Sequence, residues 1–196
     1  ERLAELPARD RPVERIWLLG SPAGMGVFDR LLSLEAEHPD GVIDRLLEHR
    51  FDGDFQLEGV DGPRTVRLRG IADRVDLLEG NRVRGIDYKT GRVPGRGRAL
   101  QLPVYGRCAE QELAGRDGRA WTIDSAAYVA FGEARPWVSL ERNQQIGEAV
   151  AEGEKRFLEA VDGIERGQFL VRPDQPRLCA YCEYPTVCRK DYVGDG

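Results

Sequence analysis

No stretch of this chain approaches the run of ~20 apolar residues that a membrane-spanning helix needs. With 41% hydrophobic and 32% charged residues, the chain is too charged for a bilayer and too apolar for a disordered polymer. The opening stretch ERLAELPARD is charged throughout and lacks the apolar core of a secretory signal. Internal repeats and low-complexity segments are missing as well. Histidine is scarce: His38 and His49 are the only two, and each reads as an ordinary helix-end or surface residue. Cysteine is limited to Cys108, Cys179, Cys182 and Cys188, three of them crowded near the C-terminus. That is no pattern for a secreted disulfide framework, and it fits a cytoplasmic protein with a metal or cluster site. An initiating Met is lacking too, since the chain opens on Glu1; the expectation is a piece cut from a longer protein.

What is present is enough chain, at 196 residues, for one domain with a proper core. The net charge of −5 argues against a generally basic nucleic-acid coat. The charge is unevenly spread. Residues 64–98 carry ten basic and four acidic side chains, whereas both flanks are acidic. The ten are Arg64, Arg67, Arg69, Arg74, Arg82, Arg84, Lys89, Arg92, Arg96 and Arg98. One positive island in an acidic chain suggests a focused anion site.

Helical spacing marks residues 22–38, and again 41–50, where Val42, Ile43, Leu46 and Leu47 recur behind Asp40 as N-cap. Residues 51–62 read as a short strand between turns. TVRLRGIADRVDLL (65–78) and RVRGIDYKT (82–90) flank Glu79-Gly80-Asn81 as a hairpin. A Gly/Pro/Arg loop (91–98), a helix over 99–114 and a strand at AAYVAFG (126–132) follow, with a fifth strand at 137–140. A helix over 141–167 places Ile146, Val150, Phe157, Val161 and Ile164 on one stripe. Three antiparallel strands, a helical crossover and a further strand predict an α/β fold with a central mixed β-sheet flanked by helices.

Asp87 and Lys89 sit two apart on a strand, so they share a face about 6.6 Å apart. A buried Lys beside a buried Asp is costly unless the charges serve a purpose. A three-residue loop, Glu79-Gly80-Asn81, sets Asp73 directly opposite Asp87, whereas a two-residue turn puts them on different faces. The odd loop is the expectation. Two facing carboxylates repel unless a cation sits between them, and Mg²⁺ or Mn²⁺ accepts such ligands. A neighbouring Lys can orient the attacking water and stabilise developing negative charge, which equips the site for phosphodiester hydrolysis. Asp76, of opposite parity to Asp73, faces away.

Gly70 and Asp73 on one strand, Asp87-Tyr88-Lys89 on the next, then Gln101 and Tyr105 spaced i,i+4 on a helix, together resemble the PD-(D/E)XK nuclease superfamily in its RecB-like branch. The similarity is greatest to the nuclease domains of AddB-type helicase–nuclease subunits and to CRISPR-associated RecB-like exonucleases, and it covers about residues 41–190. It implies a restriction-endonuclease-like core. Asp73 and Asp87 would bind the metal with the Tyr88 carbonyl, and Lys89 would be catalytic, supported by Gln101 and Tyr105. A helix-borne Glu in a Glu-x-x-Phe setting is matched by Glu48–Phe51 and joins the metal ligands. Arg74, Arg92, Arg96 and Arg98 are the expected DNA contacts. Relatives also carry a His in a Gly-x-x-x-His setting, for which this chain has no match; the loosely similar GMGVFDRLL (24–32) has an Asp there.

Cys179-x2-Cys182-x5-Cys188 by itself is compatible with zinc, an iron–sulfur cluster or reduced thiols. The iron–sulfur branch of RecB-like nucleases ends in this arrangement, which implies a 4Fe-4S cluster whose fourth Cys is missing from this chain. The expected organisation is an N-terminal helical segment over 1–40, a nuclease core over 41–168 and a cysteine tail over 169–196 packed on the core. The expected function is a metal-dependent DNA nuclease, an exonuclease module of a longer helicase–nuclease acting in double-strand-break repair and recombination. The competing expectation is a DNA-binding or assembly module with a nuclease fold and no turnover. A restriction-type endonuclease is disfavoured, because no recognition domain fits in the remaining residues.

Overall fold

A computed structural model gives the fold and describes residues 7–39, 41–91, 93–95, 98–141, 145–168, 176–185 and 187–188. The chain divides into two units, residues 1–156 and 157–196, each taken by itself. The first opens with helices α1 (Arg11–Leu19) and α2 (Val27–Glu37), then strands β1 (Val42–Gly59), β2 (Gly62–Leu78) and β3 (Arg82–Lys89). Helix α3 (Gln101–Asp117) leads to β4 (Thr122–Ala130) and β5 (Trp137–Ser139). Helix α4 (Ile146–Glu165) begins in this unit and ends in the second. The strands form one mixed sheet in the order β1-β2-β3-β4-β5, with β3 and β4 parallel and the other pairs antiparallel. That is the α/β arrangement expected, with α3 as the crossover a parallel pair requires. Among the described residues no helix is long and apolar enough to cross a membrane.

The β2–β3 connection is the three-residue loop. Leu78 pairs with Arg82, while Gly80 and Asn81 take left-handed φ values of 75° and 56°. Gly and Asn are the residues that tolerate that conformation. Helix α3 stops at Gly118, also left-handed at φ 71°, whose N–H returns to the Ala114 carbonyl.

Residues 41–50 are not a helix. They begin an 18-residue strand, of which the short strand expected at 51–62 is the far end. Asp40 lies outside the described residues. The helical look of this stretch has a physical origin, because its side chains do not alternate regularly. The register shifts between Val42 and Asp44, and Glu48 takes a left-handed φ of 49°. Of the four apolar residues that suggest a helix, Val42 and Leu46 are half-buried, whereas Ile43 and Leu47 are exposed. On α4 the buried residues include Ala149, Val150, Gly153, Glu154 and Leu158, whereas Ile164, expected on the apolar stripe, is exposed.

Strand β2 slips at the same level. A Cβ on Gly70 would lie 2.6 Å from the Tyr105 hydroxyl, so Gly70 faces α3. Gly85 also faces α3, 3.5 Å from Leu102 by the same construction, and it stands opposite Val75. Residues five apart on a regular strand point to opposite sides, so β2 gains one residue of parity between Gly70 and Val75. Leu47 pairs with Arg74 and His49 with Ala72, which puts the left-handed Glu48 level with Asp73. A bulge-like irregularity of this kind re-aims a side chain next to it. Here it allows Gly70 and Asp73, three apart, to meet the same helix.

The second unit contains the end of α4, where the Gln168 N–H reaches the Gly163 carbonyl at 2.7 Å past a left-handed Gly167. It also contains a 3-10 helix over Pro176–Tyr181.

Candidate active site

Asp73, Asp87 and Tyr105 line one small cavity with Leu102 and Gly106. The β2–β3 ladder runs to Arg74 opposite Ile86, and one further step sets Asp73 opposite Asp87. The backbone N–H of Tyr88 donates to Asp73 Oδ2 at 2.8 Å. Asp87 is 5% exposed, with its Oδ2 buried. Lys89 Nζ lies 2.6 Å from that oxygen and pairs with it. Burial pushes the Asp87 carboxyl above its ordinary range; Lys89 pulls it back, and the charge of Asp73 raises it again. Two carboxylates lining one cavity, one of them buried and paired with a lysine, are oxygen donors of the kind a hard divalent cation accepts.

Lys89 also donates to Gln101 Oε1 at 3.1 Å, and its ammonium stands 5.7 Å from the centre of the Tyr128 ring. Gln101 therefore meets the lysine rather than standing apart. One helical turn on, Tyr105 seats its hydroxyl over Gly70 and its ring against Phe51, at 5.6 Å between centroids. Tyr128 was not singled out by sequence. It sits in an apolar strand, and only the parallel register, which pairs it with Asp87, reveals its place.

Glu48 lies on a strand and is exposed; its position level with Asp73 comes from the β1–β2 register rather than from a preceding helix. Arg74 requires a larger correction. It is 4% exposed and points away from the cavity side into a buried cluster. Its guanidinium donates to both oxygens of Asp76 at 2.6 and 2.7 Å, to Glu35 of α2, and to the Tyr88 hydroxyl at 3.1 Å. Arg84, 1% exposed, holds Asp76 from the other side at 2.8 Å. Burial works against the Arg74 charge, but Asp76, Glu35 and Tyr88 more than restore it, so its pKa is raised. A guanidinium so enclosed cannot reach a phosphate.

The positive island as a whole is largely internal accounting of charge. Arg74 and Arg84 neutralise buried acids, Arg82 pairs with Asp124 at 2.7 Å, and Arg67 with Asp52 at 2.6 Å. Arg92 and Arg96 lie outside the described residues. Arg98 is exposed in the loop before α3.

The cysteines do not assemble a centre. Among the described residues no three of His, Cys, Asp and Glu are grouped to hold a metal ion; neither Cys179, Cys182 and Cys188 nor Glu48, Asp73 and Asp87 form such a group. Cys108 is buried in α3, with its thiol pushed up to about 12 by burial and by the charges of Glu112 and Glu154. The described residues give no support for the expected 4Fe-4S cluster.

The mixed five-stranded sheet with flanking helices is consistent with a restriction-endonuclease-like α/β fold. The family model of the PD-(D/E)XK nuclease superfamily matches residues 7–189, and the chain belongs to that superfamily. Its members are generally nucleases acting with divalent metals. Among solved structures, the crystal structure of SSO0001 is similar at 17% identity, covering 95% of this chain and 80% of that one at a TM-score of 0.34. That likeness is too loose to bear on the fold. No curated protein matches the chain.

Proposed function

We propose that the protein is a divalent-metal-dependent DNA nuclease, and that Asp73, Asp87 and Lys89 carry its chemistry. The observation that supports this most is the buried Asp87 carboxylate, which lines one cavity with Asp73 and pairs with the Lys89 ammonium at 2.6 Å. Mg²⁺ or Mn²⁺, when bound, supplies Lewis acidity and a hydroxide at neutral pH. Asp73 and Asp87 would hold it through carboxylate oxygens, with the Tyr88 carbonyl and Glu48 as further ligands. Asp73 is kept in orientation by the Tyr88 N–H. Lys89, steadied by Asp87 and Gln101, would orient the nucleophile and offset charge developing on the phosphoryl oxygens. Tyr105 braces the α3 side, and Arg98, exposed before α3, would contact phosphate.

The finer reading is an exonuclease module of the RecB-like branch within a longer, cytoplasmic helicase–nuclease engaged in DNA break processing. In that reading residues 1–40 are an N-terminal segment, 41–168 the nuclease core and 169–196 a cysteine-containing tail. The test is degradation of linear duplex, linear single-stranded and closed circular DNA in Mn²⁺, with and without chelator. The expected result is loss of both linear forms, none of the circle, and none with chelator. Binding without cleavage in every lane would replace the nuclease by a DNA-binding module of the same fold.

A further inference from the structure

The charged cluster behind the sheet is more elaborate than packing requires. Glu35, Arg74, Asp76 and Arg84 interlock there, with Arg45 bridging Glu35 and Asp76 at the rim. Two hydrophobic neighbours of equal volume fill such a space at lower electrostatic cost. One member of the cluster leads back to the site. Arg74 donates to the Tyr88 hydroxyl at 3.1 Å, and the Tyr88 backbone N–H donates to Asp73 Oδ2 at 2.8 Å. Arg74 is also the residue directly after Asp73. The same guanidinium thus fixes the backbone on both sides of the carboxylate pair.

The Tyr88 ring is held by more than this hydroxyl. It stacks on Phe131 at 6.4 Å between centroids, 7° from parallel, and packs against a cluster that includes Leu34 of α2. Arg30 of α2 donates to the Phe131 carbonyl at 2.9 Å. Helix α2 therefore touches Tyr88 through two routes, one ionic through Glu35 and one apolar through Leu34 and Phe131.

We propose that the Glu35–Arg74–Tyr88 chain is a brace that sets the metal affinity of the carboxylate pair from the opposite face of the sheet. Arg74, Glu35 and the Tyr88 hydroxyl are positioning groups in this scheme. They touch neither metal nor substrate, and they act by holding the Tyr88 main chain where it supports Asp73. The proposal rests on the nuclease reading only in taking Asp73 and Asp87 as metal ligands.

The test is calorimetric titration of Mn²⁺ into the full chain without DNA, for wild type, Tyr88→Phe and Glu35→Gln. Tyr88→Phe removes one hydrogen bond and keeps the ring, and Glu35→Gln keeps the shape and drops the charge. Loss of one such bond corresponds to roughly a threefold to tenfold rise in Kd. Both variants are expected to bind Mn²⁺ more weakly by about that factor. Arg82→Gln, which breaks an exposed pair with Asp124, is expected to bind as wild type does. Titrations run well below each variant's thermal midpoint in chelator, where every variant is folded, so that a raised Kd for Tyr88→Phe reads positioning whether or not its midpoint is lower. Equal Kd values for wild type and Tyr88→Phe would overturn the brace and leave the nuclease reading standing. A wild type that does not bind Mn²⁺ would remove both.

Discussion

Replacing Arg74 by Gln separates two accounts of this arginine. If it met DNA, the variant would fold normally and bind DNA more weakly, with the salt dependence of binding reduced by about one charge. The structure instead encloses it among Asp76, Glu35 and Tyr88 at 4% exposure. Removing one partner of a buried ionic cluster costs about 3–5 kcal/mol, because the remaining charges stay buried. Compensation places this case at the lower end, since Asp76 keeps Arg84 at 2.8 Å and Glu35 keeps Arg45. For a chain of this size, a loss of about 3 kcal/mol lowers the thermal midpoint by roughly 6–12 °C. With a urea slope of about 2 kcal/mol/M it moves the midpoint by about 1.5 M. Urea unfolding followed by tryptophan fluorescence measures this. A variant as stable as wild type that binds DNA with a shallower salt slope would refute the reasoning.

Two further predictions follow from the cavity. Asp87 has a folded pKa above its unfolded value, so its contribution to stability is present below the unfolded pKa and is lost as pH rises through the folded one. Asp87→Asn should therefore stabilise the metal-free protein at pH 7 and bring no gain near pH 3, measured as thermal midpoints in chelator; equal midpoints at pH 7 would count against a strained carboxylate. Gly70→Ala places a methyl carbon 2.6 Å from the Tyr105 hydroxyl and 2.8 Å from its ring edge. Overpacking of this kind costs about 1–3 kcal/mol, and the variant should lose DNA cleavage as Tyr105 is displaced. Full activity and stability would mean that Tyr105 is not seated on Gly70.

The β2–β3 hairpin was legible because turn chemistry and register are local. Gly80 and Asn81 mark the turn but allow two or three residues; the three-residue loop, expected because it brings Asp73 opposite Asp87, is the one observed. Strand β1 was not legible, because its shift at Val42 and its left-handed Glu48 destroy the alternation by which a strand is recognised. The arginines misled for a related reason. Composition counts a guanidinium as surface charge, whereas Arg74 and Arg84 were drawn inward by Asp76, a partner that parity alone turned away from the cavity. Tyr128 and Glu35 carry no sequence signal of their own, since each acquires its role from a neighbour more than thirty positions away.

The most direct test of the account is single-turnover cleavage of end-labelled linear DNA in Mg²⁺ by wild type and Lys89→Ala. The account predicts cleavage by wild type that chelator abolishes, and a loss of at least about a hundredfold on removing the ammonium, within the range for one positioned catalytic group. Undiminished cleavage by Lys89→Ala would contradict it.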